Sequence, residues 1–106
     1  MKTSIMIVAA VLAVASLSCS AEDMPGKQKS MACAACHGEG GHSTNPMYPI
    51  LAGQVEDYLV HALKAYRGGS RNNAIMQGMA ASLSDQDIDD LAAYFHSQTS
   101  DLVSKH

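Results

Sequence analysis

The sequence is poor in large aromatic side chains: it has one phenylalanine and no tryptophan among 106 residues, and aromatic residues make up 5% of the chain. It also carries little charge, since charged residues are 16% and the net charge is −3. The lack of a basic excess argues against a nucleic-acid-binding protein, which needs clustered lysine and arginine. The short length and the lack of internal repeats exclude a solenoid, a large α/β enzyme and a multi-pass membrane protein.

The longest apolar run lies at the amino terminus. Lys2 precedes an apolar stretch over residues 5–17 with a single polar residue, and the small residues 18–21 follow. This tripartite pattern is typical of a secretory signal peptide, whereas a membrane-spanning helix needs roughly 20 apolar residues. We therefore expect cleavage after Ala21 and export to the periplasm. An uncleaved anchor and lipidation of Cys19 are the alternatives.

The predicted mature domain, residues 22–106, is small. It has 85 residues, a formal charge of −4 and two cysteines, Cys33 and Cys36. A chain of this length buries only about 60–65% of its unfolded surface, so it is marginally stable without a crosslink or a bound group. We expect such a group to supply part of the core.

Apolar periodicity predicts an all-α domain. No segment alternates as a strand would, and the predicted helical segments are 27–36, 54–67, 74–81 and 84–98. Apolar residues share one face of the second segment: Val55, Leu59, Ala62, Leu63 and Tyr66. They also share one face of the last: Ile88, Leu91, Ala92 and Phe95. Ser84, followed three residues later by Asp87, predicts a capping box at the start of this last helix.

Residues 33–37 form the motif C-x-x-C-H, the attachment signature of a c-type haem. Two thiols three residues apart reach both vinyl groups on one edge of a porphyrin, which leaves His37 beneath the iron as a proximal ligand. Gly38 lets the backbone turn away from the ring. The sequence thus predicts one covalently bound haem, attached through Cys33 and Cys36.

A C-x-x-C pair has other uses, and each lacks support elsewhere in the sequence. A thioredoxin-like redox pair needs a βαβ context, which the helical pattern does not provide. A zinc site needs two further ligands at suitable spacing, and the chain has no second cysteine pair. A structural disulfide would close a loop too short to stabilise the chain much.

The predicted domain, from Gly26 to Gln98, resembles class I c-type cytochromes, in the small bacterial group related to cytochrome c553 and to single domains of cytochrome c4. The matching segments, in order, are 26–27, 33–38, 48–54, 76–78, 83–88 and 91–95. The resemblance implies about four short helices wrapped around one haem. It implies that Gly26 allows close approach of Tyr94 where the terminal helices cross. It also implies that the Pro49 carbonyl oxygen accepts a hydrogen bond from Nδ1 of His37, which orients the ring.

A second axial ligand is expected among the seven methionines, because a His/Met pair is usual in electron-carrying cytochromes c. In the pattern that the sequence resembles, the ligand lies about seven residues before the Leu-Ser that opens the last helix. Met76 matches this position, and Met79 is the second choice. We expect Met79 and Met47 to be core filler, the ordinary role of a methionine.

Other polar residues are weaker candidates for a role at the haem or in docking. The remaining histidines, His42, His61, His96 and His106, are not expected to ligate iron. His61 and His96 lie off the apolar faces of their predicted helices, so we expect them to be solvated. Arg71 is a candidate for a hydrogen bond to a haem propionate, as is Arg67, with a solvated loop as the alternative. The acidic residues at the start of the last helix are Asp85, Asp87, Asp89 and Asp90. We interpret them as capping and dipole-complementing residues rather than as an acidic docking surface for a basic partner.

The function predicted is that of an exported, monomeric carrier of single electrons and not an enzyme. Closed His/Met coordination leaves no position for a substrate, and the sequence offers no catalytic triad or phosphate-binding loop. The resemblance implies respiratory redox partners, such as a quinol–cytochrome c reductase and a terminal oxidase, or a dehydrogenase that the protein serves. The alternative hypothesis is a haem sensor or peroxidase-like protein whose sixth coordination position is open.

Overall fold

The fold was obtained as a computed structural model, which describes residues 3–4, 6–11 and 23–99. Five α-helices lie in the last of these ranges: α1 Pro25–Lys29, α2 Met31–His37, α3 Glu56–Gly68, α4 Ala74–Ala80 and α5 Asp85–Ser97. A 3₁₀ turn, Glu39–Gly41, follows α2. No strand occurs in the described residues, so the predicted all-α class is confirmed.

The first predicted helix, residues 27–36, is in fact two helices that meet at Ser30. The Ser30 hydroxyl donates to the carbonyl oxygen of Lys27 at 2.6 Å. In a continuous helix that carbonyl would accept the N–H of Met31. Serine thus competes locally for a backbone acceptor, which interrupts the helix without a glycine or proline. This break accounts for five helices where about four were expected.

The amino-terminal helix α1 crosses the carboxy-terminal helix α5 at close range. A Cβ added to Gly26 would lie 2.6 Å from Cβ of Tyr94, so only glycine fits at the crossing. This is the close approach that the resemblance implied. The crossing also carries charge: the Lys29 ammonium lies 2.8 Å from a carboxylate oxygen of Asp87 and 2.7 Å from one of Asp90.

Helix α5 supplies most of the core, and its start follows the sequence prediction. The Ser84 hydroxyl accepts the Asp87 N–H, and the Asp87 carboxylate accepts the Ser84 N–H, both at 3.0 Å, which completes the capping box. All four apolar residues of its predicted face are buried. The core cluster in the described part of the chain is Leu59, Leu91, Ala92, Tyr94 and Phe95.

Helix α3 begins two residues later than predicted. Val55 is its N-cap residue rather than part of its buried face, and it is 59% exposed. Leu59, one turn further along, takes the buried position. Gly69, with φ of +81°, ends the helix, and Asn73 then caps α4. Helices α3 and α4 thus form a pair beside α5.

Among the residues that the structure describes, no helix is both long and apolar enough to cross a membrane. The predicted cleavage after Ala21, and most of the leader that it would release, lie outside the described residues.

Replacing Gly26 with alanine is expected to destabilise the protein by about 1–3 kcal/mol, because the new methyl group would overpack the α1–α5 crossing. Guanidinium unfolding of the haem-loaded protein measures this. Gly68→Ala is the matched control: nothing lies within 4 Å of its added Cβ, so we expect roughly 0.5–1 kcal/mol of stabilisation. Equal effects of the two substitutions would show that the crossing is not tight.

Replacing Lys29 with methionine is expected to raise the pKa of two carboxyls. The Lys29 ammonium, followed by the Ser84 N–H and hydroxyl, lowers the pKa of Asp87 from 3.8 to about 2, and Lys29 also lowers the pKa of Asp90. Because the folded pKa is the lower one, the stability that these carboxylates contribute is present above pH 3.8. It is lost as the pH falls toward 2. Carboxyl-carbon NMR titration of Lys29→Met should show both pKa values shifted upward. In the Lys27→Met control they should stay low.

Candidate haem-attachment site

Helix α2 places both cysteines of the motif about one helical turn apart. Cys33 is half-buried and packs against the core cluster, whereas Cys36 is exposed. Burial, followed by the neighbouring Cys36, raises the pKa of the Cys33 thiol. No disulfide joins Cys33 to Cys36. The helix thus presents one sulfur toward the interior and one toward solvent on the same short segment.

The imidazole of His37, the last residue of α2, is held in a fixed orientation. Its side chain is only 7% exposed. Nδ1 lies 2.8 Å from the carbonyl oxygen of Pro49, and the ring packs edge-on against Tyr48 at 6.2 Å between centroids. Because a carbonyl oxygen can only accept, the contact assigns the ring proton to Nδ1. In the neutral tautomer with its proton on Nδ1, Nε2 is the nitrogen whose lone pair can bind a metal.

A glycine-rich turn brings the Pro49 loop back against α2. Gly38 has φ of +78°, and a Cβ there would lie 2.8 Å from the carbonyl oxygen of His42. The carbonyl of Gly41 then accepts the N–H groups of Leu51 and Ala52 at 2.9 and 3.1 Å. These bonds close the loop that runs past His37, so glycine is required by the sharp return of the backbone.

The methionine expected to ligate iron lies in the first turn of α4. Met76 is half-buried, and its N–H donates to the Asn73 side-chain oxygen at 3.0 Å. Met79 is 43% exposed and Met47 is 80% exposed, so neither is buried in the polypeptide core. Ala80 is the buried residue of α4. Met47 lies in a surface turn, and its N–H donates to the Asn45 side-chain oxygen.

Two arginines considered for a propionate contact have protein partners. Arg71 donates to the Tyr58 hydroxyl at 3.2 Å, and its guanidinium stacks over the Tyr66 ring at 4.8 Å. Arg67 donates to the carbonyl oxygen of Leu83 at 3.0 Å and pairs with Asp85 at 2.6 Å. Arg67 therefore joins α3 to the start of α5. Arg71 remains at the surface, and its propionate role stays a prediction.

Two of the other histidines, His61 and His96, lie on helices α3 and α5. His61 is exposed on α3. His96 is exposed on α5, and its Nδ1 lies 2.8 Å from the carbonyl oxygen of Gln54. His106 lies outside the described residues. In the described part of the chain, no group of three or more His, Cys, Asp or Glu is placed to hold a metal ion.

The acidic residues of α5 are largely used inside the molecule. Asp85 pairs with Arg67, which lowers the pKa of that carboxyl, while Asp87 and Asp90 share Lys29. Asp87 thus serves in the capping box as predicted, whereas the pairing with Lys29 and Arg67 was not predicted from the sequence.

The side chains present fit a porphyrin with covalent anchors. The buried imidazole of His37 offers Nε2 to iron, and the two thiols precede it on the same helix. Exposed apolar or aromatic side chains offer surface that a planar ring could cover. These side chains, on or next to α3 and α4, are Val55, Tyr58, Ile75 and Met79. The largest fully buried side chains in the described residues are Ile88 and Leu91, so the polypeptide core is small. This donor set is the one that a haem c requires.

Sequence reasoning missed two side-chain contacts, one made by Asn73 and one by Tyr58. Asn73 is a side-chain cap for the helix that carries Met76, and an Asn directly before an apolar helical segment is a recognised cap signal. Tyr58 orients Arg71 across 13 residues of sequence, and no local pattern predicts such a contact.

Comparison with known proteins identifies the family. The family model described as Cytochrome c matches residues 24–99. Cytochrome c-554(548) of Halomonas halodenitrificans is 50% identical over 76 residues, which cover 69% of this chain and 92% of that protein. A protein of Thiomonas intermedia named thiosulfate dehydrogenase electron acceptor is 46% identical over 69 residues, covering 63% of this chain and 31% of its own.

Comparison with solved structures indicates the same family. The crystal structure of reduced recombinant cytochrome c4 from Pseudomonas stutzeri matches with a TM-score of 0.68 and 44% identity, over 76% of this chain and 46% of that one. This chain thus spans less than half of that cytochrome c4 chain. The family implies one covalently bound haem c with iron, and Cys33 and Cys36 occupy its C-x-x-C-H positions. Built on the all-α cytochrome c fold and matched over its described domain, this chain belongs to the cytochrome c family as a class I c-type cytochrome, a haem-containing electron-transfer protein.

Proposed function

We propose that this protein is a periplasmic carrier that passes single electrons between redox proteins, with His37 and Met76 as the axial ligands of its haem. The haem iron supplies the one-electron chemistry, Fe(II) to Fe(III). The observation that carries the proposal is the buried imidazole of His37, whose Nδ1 proton is directed to Pro49 at 2.8 Å and whose Nε2 is left for iron. A ligand fixed in this way needs no rearrangement when the charge on the metal changes.

The covalent anchors and the ligand are parts of one rigid segment. Cys33, Cys36 and His37 all belong to α2, so two thioether bonds through these cysteines would set the ring above the imidazole. The hydrogen bond to the Pro49 carbonyl raises the basicity of the imidazole and fixes its orientation. This arrangement supports a carrier whose coordination stays the same in both oxidation states.

Met76 is the proposed second ligand for two reasons. The resemblance to class I cytochromes places a methionine at this position, seven residues before Leu83. The Asn73 side chain also accepts the N–H of Met76 and so fixes its backbone at the start of α4. Met79 lies further along the helix and has no side-chain cap of this kind. A thioether ligand favours Fe(II) and so raises the reduction potential.

The proposed location and partners follow from the leader and from the names of relatives. Residues 1–21 have the pattern of an export signal, which would deliver the chain to the periplasm. One relative is named as an electron acceptor of thiosulfate dehydrogenase. We therefore propose a dehydrogenase or a quinol–cytochrome c reductase as donor, and a terminal oxidase as acceptor.

Met76→Ala is expected to abolish the weak long-wavelength thioether–Fe(III) absorption band and to lower the reduction potential. The reduced variant should also bind carbon monoxide rapidly at neutral pH, because the sixth coordination position is then open. Visible spectroscopy and potentiometry of the purified holoprotein measure these effects.

Met79→Ala is the matched control for that experiment, and it should keep the band, the potential and resistance to carbon monoxide. Loss of the band in Met79→Ala alone would reverse the ligand assignment. Rapid, complete carbon monoxide binding by the unaltered reduced protein would favour a sensor or peroxidase-like function instead.

Replacing Cys33 and Cys36 together with serine is expected to release the haem from the chain. Acidified organic solvent should extract the pigment from this double variant but not from the unaltered protein, because thioether bonds survive the treatment. Extraction from the unaltered protein would contradict covalent attachment at these two cysteines.

A further inference from the structure

Helix α4 belongs to a segment of the chain that leaves α3 at its last turn and ends where α5 begins. We name residues 68–82 the Met76 segment, after the proposed axial ligand that they include. The first part of the segment is fastened to α3, because the N–H of Arg71 donates to the carbonyl oxygen of Ala65 at 3.1 Å. The position of the proposed ligand also depends on how the far end of the segment is held.

Arg67 joins the two ends of the Met76 segment. It is the residue just before the segment, and its guanidinium donates to the carbonyl oxygen of Leu83, 16 residues further along the chain, at 3.0 Å. A second guanidinium nitrogen pairs with Asp85 at 2.6 Å. Within residues 23–99, these are the side-chain hydrogen bonds that connect the last turn of α3 to the start of α5. A planar guanidinium suits this task because its N–H groups point in fixed directions.

The two contacts of Arg67 differ in their exposure to water. The Asp85 side chain is 71% exposed, so this ion pair is screened by solvent and contributes little. Leu83 is half-buried and packs against the core cluster, and its hydrogen bond with Arg67 is partly buried. A carbonyl oxygen in such a place is costly to leave without its donor. The contact with Leu83 therefore contributes more than the contact with Asp85.

We propose that Arg67, through the Leu83 carbonyl oxygen, holds the Met76 segment closed and so keeps the methionine sulfur on ferric iron. The inference rests on the proposed function, in which Met76 is the sixth ligand. The ferric state is the demanding one, because a thioether ligand favours Fe(II) over Fe(III). Arg67 acts on the ligand through the backbone of the segment, so it is a positioning residue. When the segment opens, the sixth position becomes accessible to a competing ligand.

Competition with added imidazole measures how often the segment opens in the ferric holoprotein. Imidazole binds the iron only where the methionine has left it, so its apparent affinity rises in proportion to the open fraction. Arg67→Leu should bind imidazole about tenfold more tightly than the unaltered protein, since a hydrogen bond from a charged donor contributes on this order. Asp85→Asn keeps the Leu83 contact, and it should change the affinity by less than about twofold.

Lys29→Met is the matched control for a general loss of stability. It also removes a cation that joins two helices, but the partners of Lys29, Asp87 and Asp90, lie outside the Met76 segment. Its ferric holoprotein should bind imidazole with unaltered affinity. Amide hydrogen exchange gives a second readout, which does not depend on the iron ligand. Arg67→Leu should accelerate exchange in α4 about tenfold and leave residues 91–97 of α5 unchanged.

Equal imidazole affinity in Arg67→Leu and the unaltered protein would overturn the inference. An equal gain in Lys29→Met would do the same, since overall stability would then govern opening, and so would a gain in Asp85→Asn as large as that in Arg67→Leu. A changed reduction potential in Arg67→Leu without faster exchange in α4 would assign Arg67 to a haem propionate instead. Failure of the proposed function is distinguishable from these results, because the unaltered ferric protein would then lack the thioether absorption band.

Discussion

The hydrogen bond between Nδ1 of His37 and the carbonyl oxygen of Pro49 organises the structure around it. It requires α2 to end where the imidazole can be buried, and it requires the backbone to return sharply after Gly38. The returning loop is fastened in turn, because the Gly53 N–H donates to the Phe95 carbonyl oxygen of α5 at 2.8 Å. Helix α5 thereby links the loop that carries Pro49 to the crossing with α1. The orientation of one imidazole is thus supported by contacts from both ends of the domain.

Ion pairs join helices in the described part of the chain. Lys29 connects α1 to two carboxylates of α5, and Arg67 connects α3 to Asp85 and to the loop before α5. Pairs of this kind in exposed positions contribute little energy one by one, but they fix which helices lie together. Because they lie on α1, α3 and α5, the segment around the haem-attaching cysteines is left almost uncharged.

The parts of the fold that sequence could predict are those set by local patterns. Ser84 and Asp87 define a capping box, and the four-residue apolar face of α5 follows the helical period, so both were predicted correctly. The break at Ser30 was not, because a side-chain hydroxyl rather than a glycine or proline causes it. Val55 was misassigned since it fits the apolar period but lies one residue before α3. The partners of Lys29 lie about 60 residues away in sequence, beyond any local signal.

The candidate site divides in the same way. The C-x-x-C-H motif locates the cysteines and His37 by itself, while Pro49 and Met76 came from resemblance.

The most direct measurement of the central claim is the ring-nitrogen NMR of His37 in the reduced, diamagnetic holoprotein. The account predicts a proton on Nδ1 that exchanges slowly with solvent, and an Nε2 that carries no proton because it binds iron. A protonated Nε2, or an Nδ1 proton that exchanges as fast as that of a free imidazole, would contradict it.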